Sequence, residues 1–193
     1  ADEDARMVSH WTEGAMGYYG AEAAVNVVAG STFTSEGRRT VYVFDIEADR
    51  QIPATVVAIR LGEVFPVLLE LWLPSVPFQR AEMPELLGPA GHRYAFTDDL
   101  ELAKQHLSEE LIDHADELGG DVSVLWLEQD WVLAAVSPNA GPTRLERLLR
   151  DLGDIADIVD PGDVSASDKH VWQDPPEGVR HVDPLHERPH GPL

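Results

Sequence analysis

The clearest structural signal in the chain is the run VSVLWLEQDWVLAAV at residues 122–136. Both ends of this run are apolar and rich in β-branched and aromatic side chains, which favour β-strands. The polar tripeptide Glu128-Gln129-Asp130 between them is short enough for a tight turn. The run therefore predicts a β-hairpin with strands at 122–127 and 131–136.

Similar apolar runs come before the hairpin and predict further strands. They cover residues 23–29, 39–46, 53–59, 66–73 and 93–97. Polar turns separate the first three, at Ser35-Glu36-Gly37 and at Ala48-Asp49-Arg50. Short consecutive strands joined by tight turns are typical of an antiparallel meander. With the hairpin, the sequence predicts a largely antiparallel β-meander of about seven strands.

Two helices are predicted between residue 97 and the hairpin. Asp98 is expected to cap the first, with Glu101 three residues later, and Ser108 is expected to begin the second. Pro142 suits the first turn of a C-terminal helix. Its apolar positions, spaced by three and four, form one stripe for burial: Leu145, Leu148, Leu149, Leu152, Ile155, Ala156 and Val159. The predicted fold class is α+β, with two helices before the last hairpin and a C-terminal amphipathic helix.

Composition fits one domain of ordinary size. The chain has 193 residues, of which 44% are apolar and 25% charged, and it has no cysteine. These values indicate a soluble globular domain and exclude disulfides and thiolate metal sites. We expect a polar lead at 1–20, a single α+β domain at 21–160 and a disordered, acidic, Pro- and His-rich tail at 161–193. A Pro/Gly-rich loop with one helical turn near residues 83–87 is expected inside the domain.

The charge balance excludes one class of partner. Acidic residues outnumber lysine and arginine by 35 to 14, which gives a net charge of −21. Such a field repels the phosphates of nucleic acids, and no basic patch offsets it. We expect no nucleic-acid partner.

Several motifs resemble a family of uncharacterised, mostly actinobacterial proteins. The matching stretches are Gly37-Arg38, Val43-Phe44-Asp45, residues 56–61, residues 65–68, residues 94–99 and the hairpin tryptophans Trp126 and Trp131. Many relatives look like membrane proteins with N-terminal spans ahead of this domain. The resemblance implies membrane tethering only through segments absent from this chain, and a cytoplasmic or membrane-associated location rather than a secreted one. It carries no catalytic residue. The strand pattern also resembles, more distantly, a pleckstrin-homology-like barrel, from which the two helices before the last hairpin depart.

Histidines supply two candidate metal sites. His106, Glu110 and His114 would share one face of a continuous helix and could bind zinc, but Ser108 favours a break between two helices. In the tail, loosely spaced histidines could bind transition metals, against the alternative of a solubilising tail: His170, His181, His186 and His190. Solvated side chains are the favoured interpretation of both sets.

Other motifs also favour structural roles. Gly30-Ser31 lacks the second glycine of a serine-hydrolase elbow, and no phosphate-binding glycine loop is present. Aspartates recur every three residues and are interpreted as acidic surface rather than a calcium site: Asp151, Asp154, Asp157, Asp160 and Asp163. Aromatic side chains in or beside the predicted strands are interpreted as core, with a ligand groove as the alternative: Phe44, Phe65, Trp72, Phe96, Trp126 and Trp131.

No catalytic, cofactor-binding or metal-binding residue is therefore assigned. The favoured function is a non-enzymatic binding or accessory domain with an unidentified protein partner. The alternative is a hydrolase that uses two carboxylates facing one another across a cleft. With 35 acidic residues, the sequence does not nominate such a pair.

Removal of residues 165–193 tests the interpretation of the tail. Because a Pro- and His-rich segment buries little apolar surface, we expect the melting temperature to change by less than about 2 °C. Thermal melts of the full and truncated chains measure this. A fall of about 5 °C or more would show that the tail packs on the domain.

Overall fold

The structure, a computed structural model, describes residues 7–76, 84–160 and 180–181. Its centre is one sheet with strand order β5-β6-β4-β7-β8-β3-β2-β1-β9. The strands are β1 (Ala23–Thr34), β2 (Gly37–Ala48), β3 (Gln51–Arg60), β4 (Leu69–Trp72), β5 (Glu85–Ala90), β6 (Arg93–Thr97), β7 (Val122–Glu128), β8 (Trp131–Val136) and β9 (Arg180–His181). Strands β1 to β8 pair antiparallel, and the two-residue β9 runs parallel to β1. The sheet is open, so the described strands do not close into a barrel.

Helices come from three places in the chain. They are a 3₁₀ turn (Ser9–Trp11), α1 (Met16–Tyr19), α2 (Leu100–His106), α3 (Glu109–Glu117) and α4 (Pro142–Val159). The predicted α+β class is confirmed, including the antiparallel meander, the two helices before the hairpin and the C-terminal helix. Asp49 and Arg50 both have positive φ, 51° and 63°, as a two-residue hairpin turn between twisted strands requires.

Two local predictions were wrong. Asp99, not Asp98, caps α2 and accepts a hydrogen bond from the Leu102 amide at 3.1 Å. The Asp98 carboxylate instead accepts from the Leu68 amide at 2.9 Å, which ties α2 to the start of β4. The helical turn expected near residues 83–87 is replaced by β5 from residue 85, because this segment pairs with β6 at the sheet edge. Pro89 is tolerated in β5 because an edge strand leaves one side without ladder bonds.

Both faces of the sheet are buried. Helices α2, α3 and α4 cover one face, on which Leu148 and Leu152 of α4 are fully buried. Residues 7–20, here called the N-terminal segment, cover the opposite face. Its buried side chains are Met7, Val8, Trp11, Ala15 and Met16. Residues 7–20 therefore pack against the sheet, although the sequence predicts that the domain begins at residue 21.

A buried arginine fixes α3 to the sheet. The Arg93 side chain donates to the carbonyl oxygens of Ala115 at 3.3 Å, Gly119 at 3.2 Å and Val122 at 2.9 Å. These carbonyls lie at the C-terminal end of α3 and the start of β7, where helical carbonyls lack partners within the helix. Burial lowers the pKa of Arg93 to about 10, and the group remains charged at neutral pH.

The orientation of α4 is tested by comparing Leu148→Ala with Arg147→Ala. Leu148 is fully buried, so the alanine variant should lose about 2–5 kcal/mol of unfolding free energy. Arg147 is exposed, and its loss should cost under about 0.5 kcal/mol. Urea melts of both variants measure the difference. Equal losses, or a larger one at Arg147, would contradict this orientation.

Candidate functional site

An apolar groove lies between α4 and the part of the sheet formed by β1 and β2. We call it the α4 groove; its volume is about 230 Å³. Its lining residues are Val28, Gly30, Ser31, Val41, Val43, Leu145, Glu146 and Leu149. In the register, Val28 pairs with Val43 and Gly30 pairs with Val41. Gly30 lines the groove with backbone alone, between Val28 and the residues of β2.

The lining determines what the groove can do chemically. Five of its residues present aliphatic side chains, and Glu146 is exposed on the outer side of α4. Burial of apolar surface is worth about 25 cal/mol per Å², so such a groove favours a slender apolar group. Its lining also includes Ser31, whose hydroxyl group has no hydrogen-bond partner among the described residues and is therefore not positioned against a base.

Buried ion pairs hold the far end of α4 against the sheet. Arg39 of β2 donates to Asp157 at 3.1 Å and to Asp160 at 3.1 Å, and its side chain is fully buried. Asp157 also accepts from the hydroxyl groups of Thr34 at 2.6 Å and Ser35 at 2.8 Å. These contacts attach the C-terminal end of α4 to the β1–β2 hairpin, beyond the part of α4 that lines the groove.

A second cleft of about 330 Å³ lies where α4 ends. Its lining residues are Leu61, Glu63, Val64, Phe65, Pro66, His106, Val159 and Asp160. The His106 ring lies edge-on to Phe65, with ring centres 5.4 Å apart. The Asp160 carboxylate accepts from Arg39 and from the Gly62 amide. Because the Asp160 carboxylate already accepts these two hydrogen bonds within the protein, it is less available to bind a ligand in the cleft.

Two glutamates are buried on the opposite face, beneath the N-terminal segment. Glu70 accepts from the Trp72 indole at 2.7 Å, and Glu128 accepts from the Trp126 indole at 3.2 Å. The Glu13 amide donates to Glu128 at 3.1 Å. Burial raises the pKa of Glu128 to about 7. Neither glutamate lines the α4 groove or the second cleft, so they do not form the open pair of acids that hydrolysis requires.

Comparisons with known proteins identify the family. The sequence pattern of the family described as "Trehalose monomycolate transport factor TtfA" matches residues 1–182. The chain belongs to the TtfA family. The expectation of an actinobacterial family is consistent with its relatives. The expectation that the family is uncharacterised was wrong, because its description names a transport role.

One relative and one solved structure support this membership. Trehalose monomycolate transport factor A of Mycolicibacterium smegmatis is 26% identical over 157 residues, which cover 81% of this chain and 54% of the relative. The chain thus spans about half the length of the curated relative that it matches. The crystal structure of mycobacterial TtfA superposes with a TM-score of 0.63 at 25% identity, covering 81% of this chain and 85% of that one. Among the described residues of this TtfA-family chain, no helix is long and apolar enough to cross a membrane.

The structure places His106 and His114, which the sequence suggested as members of one metal site, on two different helices. Helix α2 ends at His106, and Leu107 departs from helical geometry with ψ of 82°. On α3, the His114 ring lies 2.9 Å from the Glu110 carbonyl oxygen. Residues 7–76, 84–160 and 180–181 contain no group of three or more potential ligands that could hold a metal ion. Of the tail histidines, His181 lies in β9, and His170, His186 and His190 fall outside the described residues.

The aspartate series divides into different roles. Asp154 is exposed and Asp151 is half-buried, whereas Asp157 and Asp160 pair with Arg39. The interpretation of these last two as ordinary surface was therefore wrong, and Asp163 lies outside the described residues. An arginine on the inward-facing side of a strand was the signal in the sequence that could have located them.

The six aromatic residues that the sequence led us to interpret as core are buried in this TtfA-family domain. All six are at most 7% exposed: Phe44, Phe65, Trp72, Phe96, Trp126 and Trp131. Phe65 also contributes to the second cleft, whereas the α4 groove has no aromatic lining. The groove was not predicted from the sequence, because aliphatic residues that line a groove have the same sequence pattern as aliphatic residues of a filled core.

Neighbouring arginines test the role of the ion pairs behind the groove. Arg39→Met leaves Asp157 and Asp160 without their cation, and we expect a loss of about 3–5 kcal/mol in unfolding free energy. Arg38→Met removes an exposed arginine one position earlier and should cost less than about 1 kcal/mol. Denaturant unfolding of both variants measures this. Similar losses would contradict a structural role specific to Arg39.

Proposed function

We propose that this chain is a non-enzymatic accessory domain that contacts the acyl chain of a trehalose monoester during its transport at the cell envelope. The observation that carries this proposal is the apolar α4 groove in a member of the TtfA family. Family membership supports the accessory transport role. The α4 groove supplies the surface that would bind the acyl chain.

The chemistry of the cargo matches the chemistry of the groove. A trehalose monomycolate is a disaccharide esterified with one long-chain fatty acid, so it presents hydroxyl groups at one end and methylenes at the other. A groove of about 230 Å³ with an aliphatic lining takes a segment of such a chain rather than the whole lipid. Each buried methylene contributes about 0.8 kcal/mol, so a few methylenes in the groove give the transient binding that a factor passing its cargo on requires.

The polar groups of the domain support binding rather than hydrolysis. Glu70 and Glu128 are buried under the N-terminal segment, and Asp157 and Asp160 pair with Arg39. We propose that the catalytic or translocating steps belong to a separate protein partner in the same transport process. We also propose a membrane-associated location, because a factor in lipid transport must meet its lipid there.

Filling the groove tests the proposal. Val28 of β1 is half-buried and lines the α4 groove. Val28→Trp should weaken binding of a trehalose monoester with a single medium-length acyl chain by about tenfold or more, because the indole occupies the space for methylenes. Isothermal titration with this ester measures the affinity, and free trehalose tests whether the sugar alone binds.

Val64→Trp is the matched control. Val64 is 68% exposed and lines the second cleft rather than the α4 groove. We expect this variant to bind the ester like the unaltered chain. Equal binding by both variants, binding of free trehalose, or no binding of the ester would each contradict the proposed site.

A further inference from the structure

The α4 groove lies beside the first half of α4 and is closed toward the second half. The helical residues that line it, Leu145, Glu146 and Leu149, all belong to the first half of Pro142–Val159. Further along, the helix packs closely on β1, and a Cβ atom on Gly153 would lie 3.1 Å from the Thr34 methyl group. The groove therefore does not continue past Gly153.

The aliphatic lining by itself gives little selectivity among lipids. It contacts methylenes, which every acyl chain contains, and apolar pockets separate ligands with a common apolar part only weakly. Selection among lipids therefore requires a polar group beside the groove, one that favours some head groups and opposes others. Two residues with polar side chains line the groove, Ser31 and Glu146. Ser31 is 5% exposed and uncharged, which leaves Glu146 as the charged residue of the described lining.

The Glu146 carboxylate belongs at the mouth of the groove. Glu146 is exposed, and an unpaired charge is costly among apolar side chains, so the carboxylate stays in water while the methylenes of the side chain contribute to the lining. Within the part of the chain that the structure describes, Glu146 forms no ion pair. Its oxygen atoms are therefore available to a ligand.

The strand beside the groove adds a second negative charge. Asp45 comes two positions after Val43 in β2 and therefore lies on the same side of the strand as this lining residue. Its carboxylate accepts hydrogen bonds from two neighbouring side chains at 2.6 and 2.9 Å. Arg147 and Arg150 are exposed on α4, and neither lines the groove. The described lining thus carries negative charge without a cation.

We propose that Glu146 makes the α4 groove selective for neutral sugar esters over anionic lipids with the same acyl chain. Its carboxylate accepts hydrogen bonds from sugar hydroxyl groups and repels the carboxylate of a fatty acid or the phosphate of a phospholipid. The sugar lies at the mouth beside Glu146, because the groove is closed toward Gly153. This inference rests on the proposed function, since it concerns the head group of the lipid whose chain occupies the groove.

Isothermal titration of the full chain with two ligands tests this selectivity. The ligands are the trehalose monoester described above and the free fatty acid with the same acyl chain, both below the concentrations at which they form micelles. At about pH 8 the fatty acid is ionised. We expect the unaltered chain to bind the ester at least about tenfold more tightly than the fatty acid, through hydrogen bonds to one ligand and repulsion of the other.

Two substitutions at Glu146 should change this preference in a graded way. Glu146→Gln removes the charge and should strengthen fatty-acid binding about threefold, the size expected for one charge at a solvated mouth. Ester binding should change by less than about twofold, because sugar hydroxyl groups also donate to the glutamine carbonyl oxygen. Glu146→Lys should strengthen fatty-acid binding by about tenfold, and high salt should reduce both effects.

Asp154→Asn is the matched control. Asp154 is exposed on α4 without lining the groove, so this variant changes the net charge of the protein by the same amount as Glu146→Gln. Because solvent and salt screen distant charges, it should leave the preference for the ester within about 1.5-fold of that of the unaltered chain. Val28→Trp should weaken binding of both ligands, because they share the groove.

The outcomes separate this inference from the proposed function. Equal or tighter binding of the fatty acid by the unaltered chain, an unchanged preference in both Glu146 variants, or an equal change in Asp154→Asn would overturn the role of Glu146 while ester binding in the groove stands. Absence of ester binding by the unaltered chain would overturn both.

Discussion

The fold depends on a sheet whose central strands are apolar on both faces. Residues 56–59 of β3 and all six residues of β8 are at most 1% exposed. A strand buried on both sides reads as a continuous apolar run rather than an alternating one, as residues 131–136 do. Such a sheet requires a cover on each face. Helices α2 to α4 cover one face, and the N-terminal segment covers the other.

The two covers are attached in different ways, which gives them different properties. Buried ion pairs between Arg39 and the end of α4 combine charge with a network of hydrogen bonds, so their loss leaves unpaired charges. The N-terminal segment is held by aromatic packing and by one carboxyl group without an ion pair among the described residues. The two covers therefore differ in the contacts that hold them: buried ion pairs on one face, and aromatic packing with a buried carboxyl group on the other.

The proposed binding site lies where α4 leaves part of the sheet uncovered. The second half of α4 packs closely, and Gly153 approaches Thr34 so that a Cβ atom would lie 3.1 Å from its methyl group. Near the start of α4, Gly30 provides no side chain and the α4 groove remains. The same helix thus closes the core at one end and leaves an apolar groove at the other. This arrangement links the architecture to the transport role named for the TtfA family.

The sequence by itself determined the local elements. Continuous and alternating apolar runs predicted the strands, Ser108 and Pro142 marked helix starts, and the stripe containing Leu148 and Leu152 predicted the buried side of α4. These features follow from backbone geometry and short-range periodicity, which nearby residues control. Residues 161–179 and 182–193 lie outside the described structure, so the predicted disorder of the tail stays a prediction.

Only the tertiary structure determines which distant polar residues pair with one another and where the core leaves a groove. Arg39 lies 118 and 121 positions from Asp157 and Asp160, and Glu13 lies 115 positions from Glu128. No local pattern encodes such pairings, because they depend on which strands become neighbours. The α4 groove is likewise lined mainly by aliphatic residues, which the sequence does not distinguish from a filled core. The groove exists because α4 and the strands β1 and β2, which lie far apart in the chain, leave a space where they meet, and no local pattern encodes that space.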